Sequence, residues 1–341
     1  MNDPSLLRAI GMSGSLRARS LDTALTHTAV ELAPRDVEVV RAPGLGETPR
    51  FGANAALHRG GGMIALDAYL ARIGYDGPRA PTLDTLRAIH ALHPRAIAFE
   101  NLDSWSGRRI DLSPAAIERK LVRGRRGGYC YEQNGLLAHA LRALGFEVRG
   151  LAARVRWGAP EGETRPRSHM LLRVELAEGT YLADVGFGAL APVAPLRLVH
   201  DVEQETPLET FRLRGEDGGQ VLEVKSGEAW RALYWFDLTE QLPADYDLFN
   251  WWVSTNPGSL FVRSLVVARP TPQGRVTLFD RELTYRRRDG GVEQRTLASA
   301  DALRDALEGE FGLDLSGLEG IHEALRRLAS PGGASEREER F

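Results

Sequence analysis

Cys130 is the only cysteine in the 341-residue chain. A lone thiol cannot be half of an intramolecular disulfide, so the sulfur is either inertly buried or free to act as a nucleophile. Gly127 and Gly128 stand just before it, and a helical pattern starts just after it. Downstream come Ser168-His169-Met170 and Asp184-Val185-Gly186-Phe187-Gly188. Cysteine, histidine and aspartate in that order are the parts of an activated thiol: the imidazole takes the S–H proton, and the carboxylate fixes its tautomer and stabilises its charged form. A thiol attacks as the thiolate, which a helix N-terminus, a nearby imidazolium and hydrogen bonds to the anion all favour. The two glycines let the backbone turn sharply and approach a ligand closely. The helix they introduce would aim unpaired N–H groups at the sulfur, or at the oxyanion of a tetrahedral intermediate. The bland alternative is that Cys130 is a buried, inert thiol, His169 an ordinary strand histidine, and Asp184 the start of a turn.

These residues need elements to hold them. Residues 64–150 read as mostly helical, with stretches over 66–73, 83–92, 114–122 and 132–144. The last places Leu136, Leu137, Ala140, Leu141 and Leu144 on one face. From 151 to about 235 the period changes to two. Strands at 170–176 and 180–185 flank Ala177-Glu178-Gly179, a hairpin signal that sets the His169 and Asp184 strands side by side without fixing their register. Short strands continue at 211–213, 221–224 and 229–236. Beyond Pro243 come a helix-and-loop stretch at 245–259, strands at 261–268, 274–279 and 282–285, and helices at 300–311 and 318–328. His90 and His93, three apart, are expected to decorate a helix end, and no cluster has zinc-ligand spacing.

The bulk composition is that of an ordinary globular protein, 43% hydrophobic and 26% charged. The net charge of −3 gives no basic field to draw the chain to nucleic acid or an acidic membrane. Basic residues are nearly all arginine, and they are dispersed. No apolar run approaches the roughly 20 residues that span a bilayer, and the first residues do not read as a secretory signal. One cysteine and no export signal lead us to expect a cytoplasmic protein.

The motifs carry a resemblance. Arg126-Gly-Gly-Tyr-Cys130-Tyr-Glu-Gln-Asn134 resembles the active-site signature of the arylamine N-acetyltransferase family. Phe99-Glu100-Asn101-Leu102 is similar to its upstream motif, and Asp184 to Gly188 with Pro192 and Pro195-Leu196 to a further run. Tyr69 to Ile73 and Asn250 to Pro257 also match; Asn256 stands where the family usually has histidine. The resemblance covers about residues 66–315. It implies an α+β fold with a cysteine-protease-like catalytic core: a helical region (63–150) carrying Cys130, a β-barrel (151–242) carrying His169 and Asp184, and an α/β lid (243–329). The polar stretch 330–341 is expected to be a disordered tail. By the same resemblance Cys130, His169 and Asp184 form a triad. Phe99 and Phe187 line the acceptor pocket, although Phe99 reads equally well as core packing. Gly186, Gly188, Ser254 and Thr255 contact the cofactor. Arg126 has a structural role, pairing with Glu100. The implied reaction takes acetyl from acetyl-coenzyme A through an acetyl-cysteine to an arylamine or arylhydrazine, with no metal. An amide synthase using another acyl thioester would need the same triad.

Residues 1–62 resemble something else. Ile10 to Ser20 is similar to the phosphate loop of NAD(P)H-dependent FMN reductases, within one flavodoxin-like β-α-β unit. That match stops near residue 50, short of the strands needed for a core. We therefore expect a truncated segment that does not bind FMN, joined to a body that could start at Met63. Flavin-dependent oxidoreduction through this segment is the competing reading of a different class.

Overall fold

The computed structural model describes residues 64–160 and 162–330. The flavodoxin-like unit expected over 1–62 and, apart from Ser330, the tail expected over 330–341 lie outside them.

The helical region opens with α1 (Leu66–Ile73) and α2 (Leu83–Ala96). Thr82 caps α2 by accepting the Thr85 N–H. A two-residue strand, β1 (Phe99–Glu100), and short helices α3 (Leu102–Trp105) and α4 (Pro114–Ile117) follow. Pro114 stands at the first position of α4, where its missing N–H costs nothing. The helix then widens into a π-helical turn, Glu118–Arg123. The long helix α5 runs from Cys130 to Ala143, so Cys130 is its first residue rather than lying ahead of a helix that starts at Glu132.

The second region is one antiparallel sheet of eight strands. In chain order they are β2 (Glu147–Val155), β3 (Arg167–Leu176), β4 (Gly179–Ala183), β5 (Leu196–Arg197), β6 (Gln204–Glu205), β7 (Thr210–Glu216), β8 (Gly219–Ser226) and β9 (Ala229–Phe236). Their spatial order is β5-β4-β3-β2-β9-β8-β7-β6. The two edges meet through a side chain. Gln204 Oε1 accepts the Arg197 N–H and its Nε2 donates to the Arg197 carbonyl, so the amide imitates a strand and nearly closes a barrel. Leu151, Leu171, Leu213, Leu222, Tyr234 and Phe236 pack within it. β2 begins at Glu147, four residues before the expected change of period.

Helices α6 (Pro243–Thr255) and α7 (Leu260–Arg263) come next, then β10 (Val266–Thr271), β11 (Gly274–Phe279), β12 (Glu282–Arg287), β13 (Val292–Thr296), α8 (Ala300–Gly309) and α9 (Ile321–Ala329). The strand expected over 261–268 is corrected: Phe261 to Arg263 are helical, because Ser259 caps the turn by accepting the Phe261 N–H. The four late strands form a five-stranded sheet with β1 at its edge. β1 thus ties the helical region to the last one. Its outer side is taken by the loop before Cys130, where Phe99 bridges Gly128 and the Glu100 N–H donates to the Gly128 carbonyl. An edge covered in this way cannot recruit another strand.

Candidate active site

Cys130, His169 and Asp184 converge where α5 meets the barrel. The β3–β4 hairpin pairs Leu172 with Ala183. Continued by one residue, that register sets Asp184 opposite Leu171, and His169 is its diagonal neighbour on the same face. His169 Nε2 lies 2.7 Å from Asp184 Oδ2. The Cys130 side chain lies beside the imidazole and helps to favour its charged form. The sulfur lies 3.8 Å from the Ser168 carbonyl. All three residues are almost wholly buried, Cys130 2%, His169 3% and Asp184 1% exposed.

Burial on its own would push the His169 imidazole down. The Asp184 charge, its hydrogen bond and the contact with Cys130 outweigh that and raise it to about 10. Burial likewise works against the Asp184 carboxylate. The facing imidazole, the Asn134 amide and the Gly186 N–H hold it below the usual range. Its four hydrogen bonds account for this: Oδ1 accepts from Asn134 Nδ2 (2.9 Å) and the Gly186 N–H (2.9 Å), and Oδ2 from His169 and the Tyr234 hydroxyl (2.9 Å). A buried carboxylate so satisfied stays ionised and directional.

The start of α5 is held from below by charge. The Glu132 carboxylate accepts the Tyr129 N–H at 3.1 Å and meets Lys120 Nζ at 2.7 Å. Lys120 also pairs with Asp103 at 2.6 Å. Arg126 binds Glu100 through Nε and Nη2 (3.0 and 2.7 Å), the pairing expected from sequence. The π-helical turn delivers Lys120 to this cluster. Gly127 is required by space: a Cβ there would overlap the Ala98 carbonyl.

Four supporting residues escaped the sequence reading. Asn134 lies in the quoted motif, but no role was attached to it. It donates to the Met170 carbonyl as well as to Asp184, and its Oδ1 accepts the Val185 N–H. Tyr234 sits on a strand recognised only by alternation. His90 and His93 do not decorate a helix end: both are fully buried. His90 Nε2 accepts the Asp184 N–H at 3.1 Å. His93 bridges the Tyr69 hydroxyl and Gln133. Their apolar neighbours on α2 concealed this, since a helical pattern does not reveal which polar positions turn inward.

The remaining candidates are distributed around the triad. Phe187 is half-buried, its ring 5.0 Å from both His169 and Tyr234. Phe99 is buried against Phe261 at 5.8 Å, and its ring lies beside Gly188. Gly186 presses on the helix start; a Cβ there would come 2.8 Å from Cys130 Cα. Ser254 and Thr255 end α6, donating to the Asn250 and Trp251 carbonyls of their own helix. Among the described residues, no group of His, Cys, Asp and Glu could hold a metal ion, and no helix is long and apolar enough to cross a membrane.

A family model described as N-acetyltransferase matches residues 82–319. An arylamine N-acetyltransferase of Escherichia coli (strain K12) is 43% identical over 249 residues, 73% of this chain and 88% of that protein. The chain belongs to the arylamine N-acetyltransferase family. An arylamine N-acetyltransferase from Mycobacterium tuberculosis (strain H37Rv) is 42% identical over 257 residues, covering 74% of this chain and 90% of its own. Among solved structures, the Mycobacterium marinum arylamine N-acetyltransferase in complex with CoA superposes with a TM-score of 0.75 at 43% identity, covering 78% of this chain and all of that one. The α+β fold expected from the resemblance is the one found in these arylamine N-acetyltransferases.

Proposed function

We propose that this chain transfers acetyl from acetyl-coenzyme A to the nitrogen of an arylamine or arylhydrazine, through an acetyl-cysteine at Cys130. The observation that carries the reading is the convergence of Cys130 on His169, whose Nε2 is hydrogen-bonded to a fully satisfied Asp184, in a chain whose relatives are named for this activity.

His169, made more basic by Asp184, takes the thiol proton. The Cys130 sulfur attacks the thioester carbonyl carbon, and an S–C bond forms as the carbonyl oxygen takes up negative charge. The N–H groups of the first turn of α5 have no acceptor within the helix and would be available to that oxygen. The intermediate collapses, the bond to coenzyme A sulfur breaks, and the leaving thiolate takes the proton from His169. The amine nitrogen then attacks the acetyl-cysteine carbonyl. His169 accepts the amine proton, and the Cys130 sulfur leaves. Donor and acceptor react in turn at the same sulfur, which is ping-pong chemistry. Arylamines suit it because their low basicity leaves them neutral at pH 7. Gly186, Gly188, Ser254 and Thr255 are assigned to the coenzyme, Phe99 and Phe187 to the aromatic acceptor. The same reading divides the body into regions 63–150, 151–242 and 243–329 and places the protein in the cytoplasm.

The test is the intact mass after mixing with acetyl-coenzyme A alone. A single acetyl adduct is expected, absent in Cys130→Ala. No adduct on a free thiol would sink the acetyl-donor reading and turn attention to longer acyl thioesters.

A further inference from the structure

The catalytic acid is gripped at its backbone as well as at its carboxylate. The Asp184 N–H donates to His90 Nε2, from a helix 94 residues earlier in the chain. Burial drives the His90 imidazole down to about 4, so it is neutral and Nε2 is a lone-pair acceptor. One turn further along α2, His93 receives the same treatment, pushed to about 3 chiefly by burial. Its Nε2 meets Gln133 Oε1 at 2.7 Å. The Gln133 amide in turn donates to the carbonyls of Ala98 (2.8 Å) and Gly128 (3.2 Å). Helix α2 therefore touches both halves of the site, the acid through His90 and the loop before the nucleophile through His93 and Gln133. Neither histidine touches a reacting atom.

We infer that His90 is a positioning residue: its neutral Nε2 fixes the backbone of Asp184, and hence the angle at which the carboxylate meets His169. The rate consequence rests on the acetyl-transfer reading above; the geometric consequence does not. His90 is the acceptor for the Asp184 N–H itself; Asn134 Oδ1 takes the next one, the Val185 N–H, while Asn134 Nδ2 and the Tyr234 hydroxyl go to the carboxylate, which can rotate about its own side-chain bonds. A shift of about 1 Å in such a support is enough to slow chemistry roughly 10- to 100-fold.

Three variants separate the acceptor from the packing. His90→Gln can return an oxygen to the position of Nε2. His90→Met fills similar space with a poor acceptor. His90→Asn is polar but too short to reach. Two rates are read on each folded variant: single-turnover acetylation by acetyl-coenzyme A, with its concentration dependence, and alkylation of Cys130 by iodoacetamide, which needs no acyl donor. We expect His90→Met and His90→Asn to slow both rates roughly 10- to 100-fold, with half-saturation by acetyl-coenzyme A nearly unchanged. His90→Gln should stay close to wild type. If His90→Met fails to fold, His90→Asn against His90→Gln decides. Wild-type rates in the Met or Asn variant would overturn the inference. So would a His90→Gln variant as slow as the others, which would mean packing alone. A wild type that takes no acetyl group but shows the expected alkylation pattern would remove the functional reading and leave the positioning role standing.

Discussion

Asn134 Nδ2 lies 2.9 Å from Asp184 Oδ1, one helical turn after Cys130 on the same helix. Cys130 and Asp184, 54 residues apart in sequence, are thereby held by a single rigid rod. Truncating the amide in Asn134→Ala would leave a buried carboxylate oxygen and the Val185 N–H short of a partner. That costs about 1–3 kcal/mol per unsatisfied group. Acetylation of Cys130 should slow roughly 10- to 100-fold as the acid loosens. Urea unfolding and single-turnover acetylation of the variant check the two effects; wild-type kinetics in a destabilised protein would assign Asn134 to stability alone.

The triad also predicts how stability follows pH. His169 is raised from 6.5 to about 10, so its contribution is complete below pH 6.5 and is lost as pH rises towards 10. Asp184 is lowered from 3.8, so its contribution is present above that pH and is lost on acidification through its folded value. The pair contributes most between about pH 4 and 6.5. Unfolding free energies measured from pH 5.5 to 9.5 should show wild type losing its advantage over His169→Gln steadily across the range. A constant difference would show that the imidazole is not charged in the folded state.

The loop before Cys130 depends on buried charge. Arg126 meets Glu100 through two donors, with Asp103 3.4 Å away. Arg126→Met leaves Glu100 buried and half-partnered, and loss of one side of such a pair costs about 3–5 kcal/mol. Arg126→Lys keeps the charge but not the fork, so it should fall between the two. Thermal unfolding of the three proteins ranks them; equal midpoints for Arg126→Met and wild type would refute the dependence.

What could be read from sequence follows the range of each signal. Helix α1 was legible to the residue, because its apolar spacing is local. The hairpin of β3 and β4 was legible from alternation around Ala177-Glu178-Gly179, and the motifs pointed to Cys130, His169 and Asp184, which converge in the structure. The supports were not. His90, Asn134 and Tyr234 all serve Asp184 from distant segments, and His90 does so through a backbone N–H that no side-chain pattern marks. β1, β5 and β6 are two residues each, too short for a period to register. The helical turn at Phe261 was hidden by β-favouring neighbours, and its cap at Ser259 decided it. Gln204 closing the barrel edge is a tertiary contact with no local trace.

Gly186 makes the last prediction. It packs so closely on the start of α5 that a Cβ would lie 2.8 Å from Cys130 Cα and 2.7 Å from Asn134 Nδ2. Both neighbours are fixed: one is helix backbone, the other holds Asp184. Gly186→Ala therefore has to push the 184–188 segment off the helix, moving Asp184 and the Phe187 ring together. Since the Gly186 N–H donates to Asp184 Oδ1, the same shift weakens the grip on the acid. Acetylation should fall roughly 100-fold, and overpacking should cost about 1–3 kcal/mol of stability. A crystal structure of the variant with the 184–188 backbone unmoved, or acetylation at the wild-type rate, would show that the contact is looser than its geometry implies.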